Sequence, residues 1–197
     1  MLRKPGMTEA RQLEGKVETM QDVALRLAKR LFDRPLIQNS FRGAFVEELI
    51  APMLFDRGWR HCGDDWSSWD FQHERGARLE LKQSAFVQSW SNEGGATRNP
   101  TFNIEEKQGH WEGGAFHLYK APARPASVYV FAWHGIEDRT QADHRNLNQW
   151  SFYPLGAAAL PGGQKTIKLS GLKRLGAMEC SAEVLSDKLE LVRTGLA

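Results

Sequence analysis

Two acidic residues and a lysine lie close together in a part of the chain that otherwise resembles the inside of a β-sheet. Asp70 occurs in WSSWDFQH, and Glu80 and Lys82 occur in LELKQS. Because side chains alternate between the two faces of a strand, Glu80 and Lys82 share one face and Leu79 and Leu81 the other. Charged groups are rarely buried without partners, so a face with both signs is either solvated or a functional site.

These residue types suit metal-assisted hydrolysis. If the two strands pair around a turn at Gly76, Asp70 comes near the level of Glu80 and their carboxylates converge. Two such carboxylates bind a hard divalent cation, either Mg²⁺ or Mn²⁺. The neighbouring Lys82 could orient an attacking water and stabilise a charged transition state. The combination favours hydrolysis of a phosphodiester over proton transfer alone.

A surface ion pair is the alternative interpretation of Glu80 and Lys82. The Glu-x-Lys triplet recurs at positions 14–16 and 105–107, where it is expected to lie on the solvated surface. Short motifs of this kind match by chance. Only the triplet at Glu80 lies on an alternating apolar strand with an aspartate ten residues upstream.

Two amphipathic helices are predicted before these strands. Apolar residues at three- and four-residue steps predict a helix over 14–32, which Asp33 to Pro35 end. A second helix is expected to begin after Asn39 or Ser40, either of which could cap it, and to end near Gly58. Its buried face is expected to hold Phe41, Phe45, Leu49, Ile50 and Met53.

The remaining pattern predicts a single α/β (α+β) domain over 14–197, after a flexible tail over 1–13. Positions 91–120 are polar and rich in glycine, and loops with at most short elements are expected there. The strands and helices come in an order that indicates a central sheet. The predicted strands cover 66–72, 78–90, 127–133, 150–155 and 166–169, and further helical segments cover 171–175 and 179–193.

Composition sets wide bounds on function. The chain has 197 residues and a formal net charge of +2, which permits nucleic-acid binding without arguing for it. No apolar run approaches the roughly 18 residues of a membrane span, and the polar N-terminus lacks a signal-peptide pattern. Cys62 and Cys180 are expected to be reduced thiols of a cytoplasmic protein. The paired glycines match no phosphate-binding loop, so a nucleotide cofactor is not expected.

Asp70 followed by Glu80-x-Lys82 on the next strand resembles the PD-(D/E)xK nuclease superfamily. Ser68 and Trp69 precede the aspartate in place of the usual proline. The surrounding segments NSFRGAFVEELI, WSSWDFQHERGARLELKQSA and VYVFAWHG look like a bacterial group of that superfamily. The resemblance implies a restriction-endonuclease-like core, built as helix, three mixed strands, helix and strand. Its central mixed β-sheet would be flanked by helices, with a metal at one edge.

The resemblance also implies roles for individual residues. Asp70 and Glu80 would bind the metal, and Lys82 would position the nucleophilic water. Glu47 on the preceding helix would contact the metal directly or through water, whereas Glu48 would be solvated. Gln83 follows the lysine as it does in a subset of these nucleases. It would be a helper, although alternation points it to the opposite face.

The expected function is that of a metal-dependent endonuclease acting on DNA with Mg²⁺, or Mn²⁺ as a substitute. Restriction or phage defence is the setting that the resemblance implies, and a homodimer would let two sites cut both strands. Arg42, Arg98 and Lys107 are expected to contact phosphates. The alternative is a non-catalytic module that retains the fold for DNA binding or protein assembly.

Overall fold

A five-stranded mixed sheet forms the centre of the protein in the computed structural model, which describes residues 18–62, 67–90 and 100–195. The helices are α1 (Met20–Phe32), α2 (Asn39–Phe55), α3 (Leu169–Arg174) and α4 (Ala182–Thr194). The strands are β1 (Trp59–His61), β2 (Phe71–His73), β3 (Arg78–Ala85), β4 (Thr101–Asn103), β5 (Lys107–Glu112), β6 (Ala115–Ala123), β7 (Val128–His134), β8 (Trp150–Gly156) and β9 (Thr166–Lys168).

The central sheet has the strand order β1-β2-β3-β7-β8. β1, β2 and β3 form an antiparallel meander, β7 runs parallel to β3, and β8 returns antiparallel to β7. The predicted turn between β2 and β3 is confirmed, and Gly76 adopts φ 86° there, a conformation that glycine reaches without a Cβ clash. The predicted strands at β7 and β8 are also confirmed.

Apolar residues cover both faces of this sheet, which explains why β7 reads as an almost continuous apolar run. Helices α2 and α4 cover one face. Strands β4 and β9 and helix α3 contribute to the cover of the other face. The cluster on the α2 face includes Val46, Ile50, Leu54, Phe71, Leu79, Leu81, Val130 and Leu185. The cluster on the opposite face includes Trp69, Phe102, Ile104, Tyr129, Phe131, Tyr153, Ile167 and Leu172.

Helix α2 buries a different stripe from the one predicted. Gln38 is its N-cap residue, so Asn39 and Ser40 lie inside the first turn. Phe41 is exposed, and Phe41 and Phe45 contact Phe32 of α1 with ring centroids 6.4 and 5.2 Å apart. The helix is apolar on several sides, so periodicity alone does not select the buried one. The observed stripe is Arg42, Val46, Ile50 and Leu54.

The expectation of loops over 91–120 is wrong for the residues described there. β5 and β6 form an antiparallel hairpin whose turn contains Gly113 and Gly114, and β4 pairs with β9. The described residues 86–90 and 100–127 hold no helix between β3 and β7, in contrast to the helix that the resemblance implies. The hairpin occupies this connection instead.

Several predicted boundaries also change. The strand expected over 66–72 begins only at Phe71, because 68–70 form a bend, and residue 66 is outside the described ranges. Strand β3 ends at Ala85 rather than at position 90. Helix α1 begins at Met20 after a capping box formed by Thr19 and Asp22. The expected tail over 1–13 also lies outside the described residues.

Among the residues described, no helix combines the length and apolar character that a membrane crossing requires.

Candidate active site

Asp70, Glu80 and Lys82 line one cavity of about 400 Å³. Glu80 and Lys82 lie on the face of β3 opposite Leu79 and Leu81, whose side chains are buried against α2. The alternation expected for this strand is therefore confirmed. The structure thus brings together, at one end of β2 and β3, the three residues that the sequence singles out.

Backbone and side-chain hydrogen bonds fix Asp70 at the level of the Glu80–Lys82 pair. Its N–H donates to the Leu79 carbonyl at 2.9 Å, and its own carbonyl accepts from the Cys62 N–H at 2.7 Å. The N–H of Leu81, the residue between Glu80 and Lys82, donates to Asp70 Oδ2 at 2.5 Å. Asp70 is therefore held against β3 although β2 has not yet begun.

The bend that precedes β2 separates the two aromatic neighbours of Asp70. In a regular strand, Trp69 and Phe71 would point the same way. The structure instead buries Phe71 on the α2 face and Trp69 on the face that carries the cavity. Alternation does not apply across residues 68–70 because they are not part of a strand.

The Asp70 carboxyl is electrostatically unfavourable when ionised. Burial raises its pKa well above the ordinary value, and the nearby charges of Glu80 and Glu47 raise it further. The hydrogen bond from Leu81 and the charge of Lys82 act in the opposite direction, and burial outweighs both. A buried carboxylate with other carboxylates nearby is the electrostatic arrangement that a bound cation relieves.

Glu47 of helix α2 interacts electrostatically with Asp70 and Glu80, although it is not among the residues that line the cavity. Its Oε2 atom lies 3.2 Å from Nε2 of His61, the last residue of β1. Burial raises the Glu47 pKa, and the charge of Glu80 adds to that increase, whereas His61 and Lys82 oppose it. Glu48, the adjacent residue, is exposed. Sequence reasoning missed His61, because a three-residue edge strand gives too short a pattern to recognise.

Oxygen donors of the kind that hard divalent cations prefer surround this end of the sheet, although they are not arranged as a closed ligand set. Glu80 is paired with Lys82, and their side chains are 17% and 31% exposed. Within 18–62, 67–90 and 100–195, no group of three or more His, Cys, Asp or Glu side chains is positioned to hold a metal ion. Carboxylate oxygens are nevertheless the donors that Mg²⁺ and Mn²⁺ prefer, and Glu80 would have to turn away from Lys82 to bind either ion.

Gln83 and Arg42 lie away from the cavity, on the α2 side of the sheet. Arg42 Nε donates to Gln83 Oε1 at 2.6 Å, and the same guanidinium donates to Gln88 at 3.0 Å and Asn39 at 2.8 Å. Gln83 therefore clamps α2 to β3. Arg42 is only 1% exposed, and burial lowers its pKa to about 10. The prediction that Arg42 contacts phosphates is wrong, because the guanidinium is enclosed by protein.

The other predicted phosphate contacts have different outcomes. Arg98 is outside the described residues. Lys107 lines the cavity at the start of hairpin strand β5, and its side chain is exposed. Trp111 and Phe116 of the same hairpin also line the cavity. The polar composition of this segment concealed the hairpin, although the pair Gly113-Gly114 and the aromatic residues beside it were visible in the sequence.

Tyr129 of β7 is a further cavity residue that sequence reasoning missed. It pairs with Glu80 across the parallel ladder. Burial raises the Tyr129 pKa, and the charge of Glu80 contributes to the increase. The phenol therefore stays protonated at neutral pH. Its place within the apolar run SVYVFAW gave no sign of a polar neighbour.

Comparison with known proteins adds little to this geometry. No protein-family model matches the sequence, and a search of curated proteins finds no match. Among solved structures, the chain is similar to a bacterial homing endonuclease, with a TM-score of 0.37 and 13% sequence identity. The similarity covers 66% of this chain and 77% of that chain. At that TM-score, the similarity establishes neither a shared fold nor a shared activity.

Proposed function

We propose that the protein is a metal-dependent endonuclease that hydrolyses phosphodiester bonds of DNA, with a PD-(D/E)xK site on a restriction-endonuclease-like core. The observation that carries this proposal is that Asp70, Glu80 and Lys82 line one cavity. A carboxylate pair with an adjacent ammonium can support metal-assisted hydrolysis of a phosphodiester. A purely structural ion pair between Glu80 and Lys82 would not account for the partly buried Asp70 beside it.

Asp70 and Glu80 are proposed to hold Mg²⁺, or Mn²⁺ in its place, and Glu47 to contact the metal directly or through water. When bound, the metal neutralises charge at the scissile phosphate and lowers the pKa of water. The raised pKa values of Asp70 and Glu47 support this assignment, because a cation stabilises their ionised forms. His61 holds the Glu47 carboxylate by its hydrogen bond.

Lys82 is proposed to position the nucleophile. Its ammonium is free to donate to a water, or to a non-bridging phosphate oxygen, once Glu80 turns away from it. The water oxygen forms a bond to phosphorus while the bond from phosphorus to the 3′-oxygen breaks. The proton released by the water passes to solvent, and the 3′-oxygen is protonated from solvent. The ammonium stabilises the negative charge that grows on the phosphoryl group.

The fold gives partial support to the proposed core. Helix α2 precedes the meander β1-β2-β3, and β7 lies parallel to β3. The connection between β3 and β7 departs from the expected one, because the described part of it carries a hairpin. A role in restriction or phage defence, and a homodimer with two sites, extend the proposal by analogy with the superfamily.

Separate substitutions can distinguish metal binding from nucleophile positioning. Glu80→Ala should abolish both calorimetric Mn²⁺ binding and DNA cleavage. Lys82→Ala should retain Mn²⁺ binding and lose cleavage by roughly 10²–10⁴-fold. Lys188→Ala on α4 is the matched control and should behave as wild type. If Lys82→Ala cut DNA as fast as wild type, the role given to this lysine would be wrong.

Nucleic-acid binding without cleavage is the second candidate function. One observation favours it: the described carboxylates do not form a ready-made set of three metal ligands. On this alternative, wild type would bind DNA equally well in EDTA and in Mn²⁺, and would cut no DNA with any divalent metal. Calorimetry would then detect no Mn²⁺ binding.

A further inference from the structure

One face of the β5–β6 hairpin forms a wall of the cavity. Lys107, Gly109, Trp111 and Phe116 line the cavity together with Asp70, Glu80 and Lys82. Gly109 pairs with Leu118, and Trp111 pairs with Phe116, so these side chains share one face of the ribbon. Strand alternation places His110 on the other face of β5. The wall therefore presents aromatic surface and one cation to whatever occupies the cavity.

The hairpin is fixed to the strands that carry the carboxylates. The N–H of Trp111 donates to Ser68 Oγ at 2.9 Å. Arg78, the first residue of β3, donates to both carboxylate oxygens of Glu112 at 2.9 and 3.0 Å. The Arg78 guanidinium also lies 3.8 Å from the centre of the Trp69 ring. These contacts hold the aromatic wall at a set position relative to Glu80 and Lys82.

The aromatic wall leaves its rings accessible. Trp111 is 40% exposed and Phe116 is 49% exposed, with ring centroids 5.5 Å apart and planes at 58°. A Cβ at Gly109 would lie 2.6 Å from Phe116 Cζ and 2.4 Å from the His117 carbonyl oxygen. Glycine is thus what allows the Phe116 ring to lie flat across β5. An exposed aromatic pair held in this way suits stacking on a planar group.

The exposed rings restrict which form of DNA suits the cavity. A volume of about 400 Å³ is within the range of small-molecule sites, about 300–1,000 Å³. The bases of an intact duplex present only their edges in the grooves, so none of them can stack on Trp111 or Phe116. A base reaches these rings only after it has left the base stack, as in enzymes that act on extruded or single-stranded bases.

We propose that the substrate is single-stranded DNA, or a locally unpaired nucleotide of DNA. The base next to the scissile phosphate stacks on Trp111 and Phe116, and Lys107 contacts the flanking backbone. This inference rests on the proposed nuclease function and specifies its substrate. It also explains why a hairpin occupies the connection beside the site, because that hairpin supplies both the stacking surface and the cation.

The test measures DNA binding in EDTA, so that cleavage does not interfere. Fluorescence anisotropy of a short labelled strand, alone or annealed to its complement, compares wild type with Phe116→Ala. His117→Ala is the control, because His117 is an exposed ring of the same hairpin and its pairing with His110 places it on the opposite face. Wild type should bind the single strand at least tenfold tighter than the duplex. Phe116→Ala should weaken single-strand binding by roughly tenfold, and His117→Ala should leave it unchanged.

Two results would overturn the inference while leaving the nuclease proposal intact. One is equal binding and equal cleavage of the single strand and the duplex by wild type. The other is an equal loss of single-strand binding in Phe116→Ala and His117→Ala, which would indicate a general disturbance of the hairpin. Failure of the nuclease proposal has a different signature, because wild type would then cut neither form of DNA in Mg²⁺ or Mn²⁺.

Discussion

At the scale of single residues, the proposed metal site depends on the Asp70 carboxyl group, whose ionised form is unfavourable in its surroundings. Asp70 is partly buried near Glu80 and Glu47, and its pKa is raised for that reason. A side chain whose ionisation opposes folding is retained when it performs a function, and its replacement commonly increases stability. This trade-off separates a functional Asp70 from a structural one.

Asp70→Asn is therefore expected to stabilise the metal-free protein and to abolish cleavage. A carboxyl group whose pKa is higher in the folded state than in the unfolded state lowers the free energy of unfolding at pH values above its unfolded pKa. This penalty is relieved as the pH falls through the folded pKa. Asparagine can still accept the hydrogen bond from Leu81. The gain in unfolding free energy should be roughly 1 kcal/mol at neutral pH and should vanish in acid. Denaturant titrations in EDTA across pH would measure it, and a less stable variant at neutral pH would contradict it.

Gln83→Leu tests the clamp between β3 and α2. The substitution removes an acceptor from the buried Arg42 guanidinium, which should cost about 2 kcal/mol of unfolding free energy. Gln72→Leu is the control, because its amide accepts from the exposed Arg60 and should change stability by less than about 0.5 kcal/mol. Cleavage per folded molecule should be unchanged in both variants. A specific loss of cleavage in Gln83→Leu would restore Gln83 to the catalytic group.

Sequence alone could predict that Asp70, Glu80 and Lys82 lie close together, but not the surroundings of Arg42 and Glu47. The alternation of LELKQS places Glu80 and Lys82 on one face, because strand periodicity is local. The burial of Arg42 could not be predicted, since only the tertiary structure supplies its amide acceptors. His61 was missed because it depends on an edge strand of three residues.

At the scale of elements, the hairpin β5–β6 contributes two aromatic side chains and a lysine to the lining of the cavity. Its polar composition favoured a loop prediction, and its regular structure depends on a glycine turn and on anchoring contacts to Ser68 and Arg78. Those contacts are remote in sequence, so a local pattern does not contain them. Strand β7, in contrast, was predicted because burial on both faces leaves a continuous apolar run.

Gly109→Ala should disturb this hairpin and leave the central sheet intact. The added methyl overlaps the His117 carbonyl and the Phe116 ring, so pairing between β5 and β6 must shift, at a local cost of about 1–3 kcal/mol. Amide hydrogen exchange should become faster in β5 and β6 and stay unchanged in β3 and β7. Gly162→Ala is the control, because its nearest contact would be 3.8 Å away. Unchanged exchange in the Gly109 variant would contradict the packing described here.

At the scale of the whole molecule, the fold brings together acidic residues from α2, from the bend that precedes β2 and from β3 on one mixed sheet. The two apolar faces of that sheet fix these elements, and the charged cluster lowers the stability of the metal-free protein. A bound cation should therefore couple to global unfolding.

Mn²⁺ should raise the melting temperature in a manner that depends on pH. At a hundredfold excess over its dissociation constant, a ligand adds about 2.7 kcal/mol to the unfolding free energy. Protons compete for Asp70 and Glu47, whose pKa values are raised, so the increase should grow as pH rises through those pKa values. Thermal melts with Mn²⁺ or EDTA from acid to neutral pH would measure it. An equal shift at every pH, or an equal shift in Glu80→Ala, would exclude these carboxylates as the ligands.

The most direct test of the central claim is DNA cleavage by the purified protein. Single-stranded circular and supercoiled plasmid DNA would be incubated with Mg²⁺, Mn²⁺ or EDTA, using wild type, Glu80→Ala and the exposed control Glu183→Ala. The account predicts metal-dependent cutting by wild type and Glu183→Ala, and none by Glu80→Ala or in EDTA. Absence of cutting by wild type in either metal, or undiminished cutting by Glu80→Ala, would contradict it.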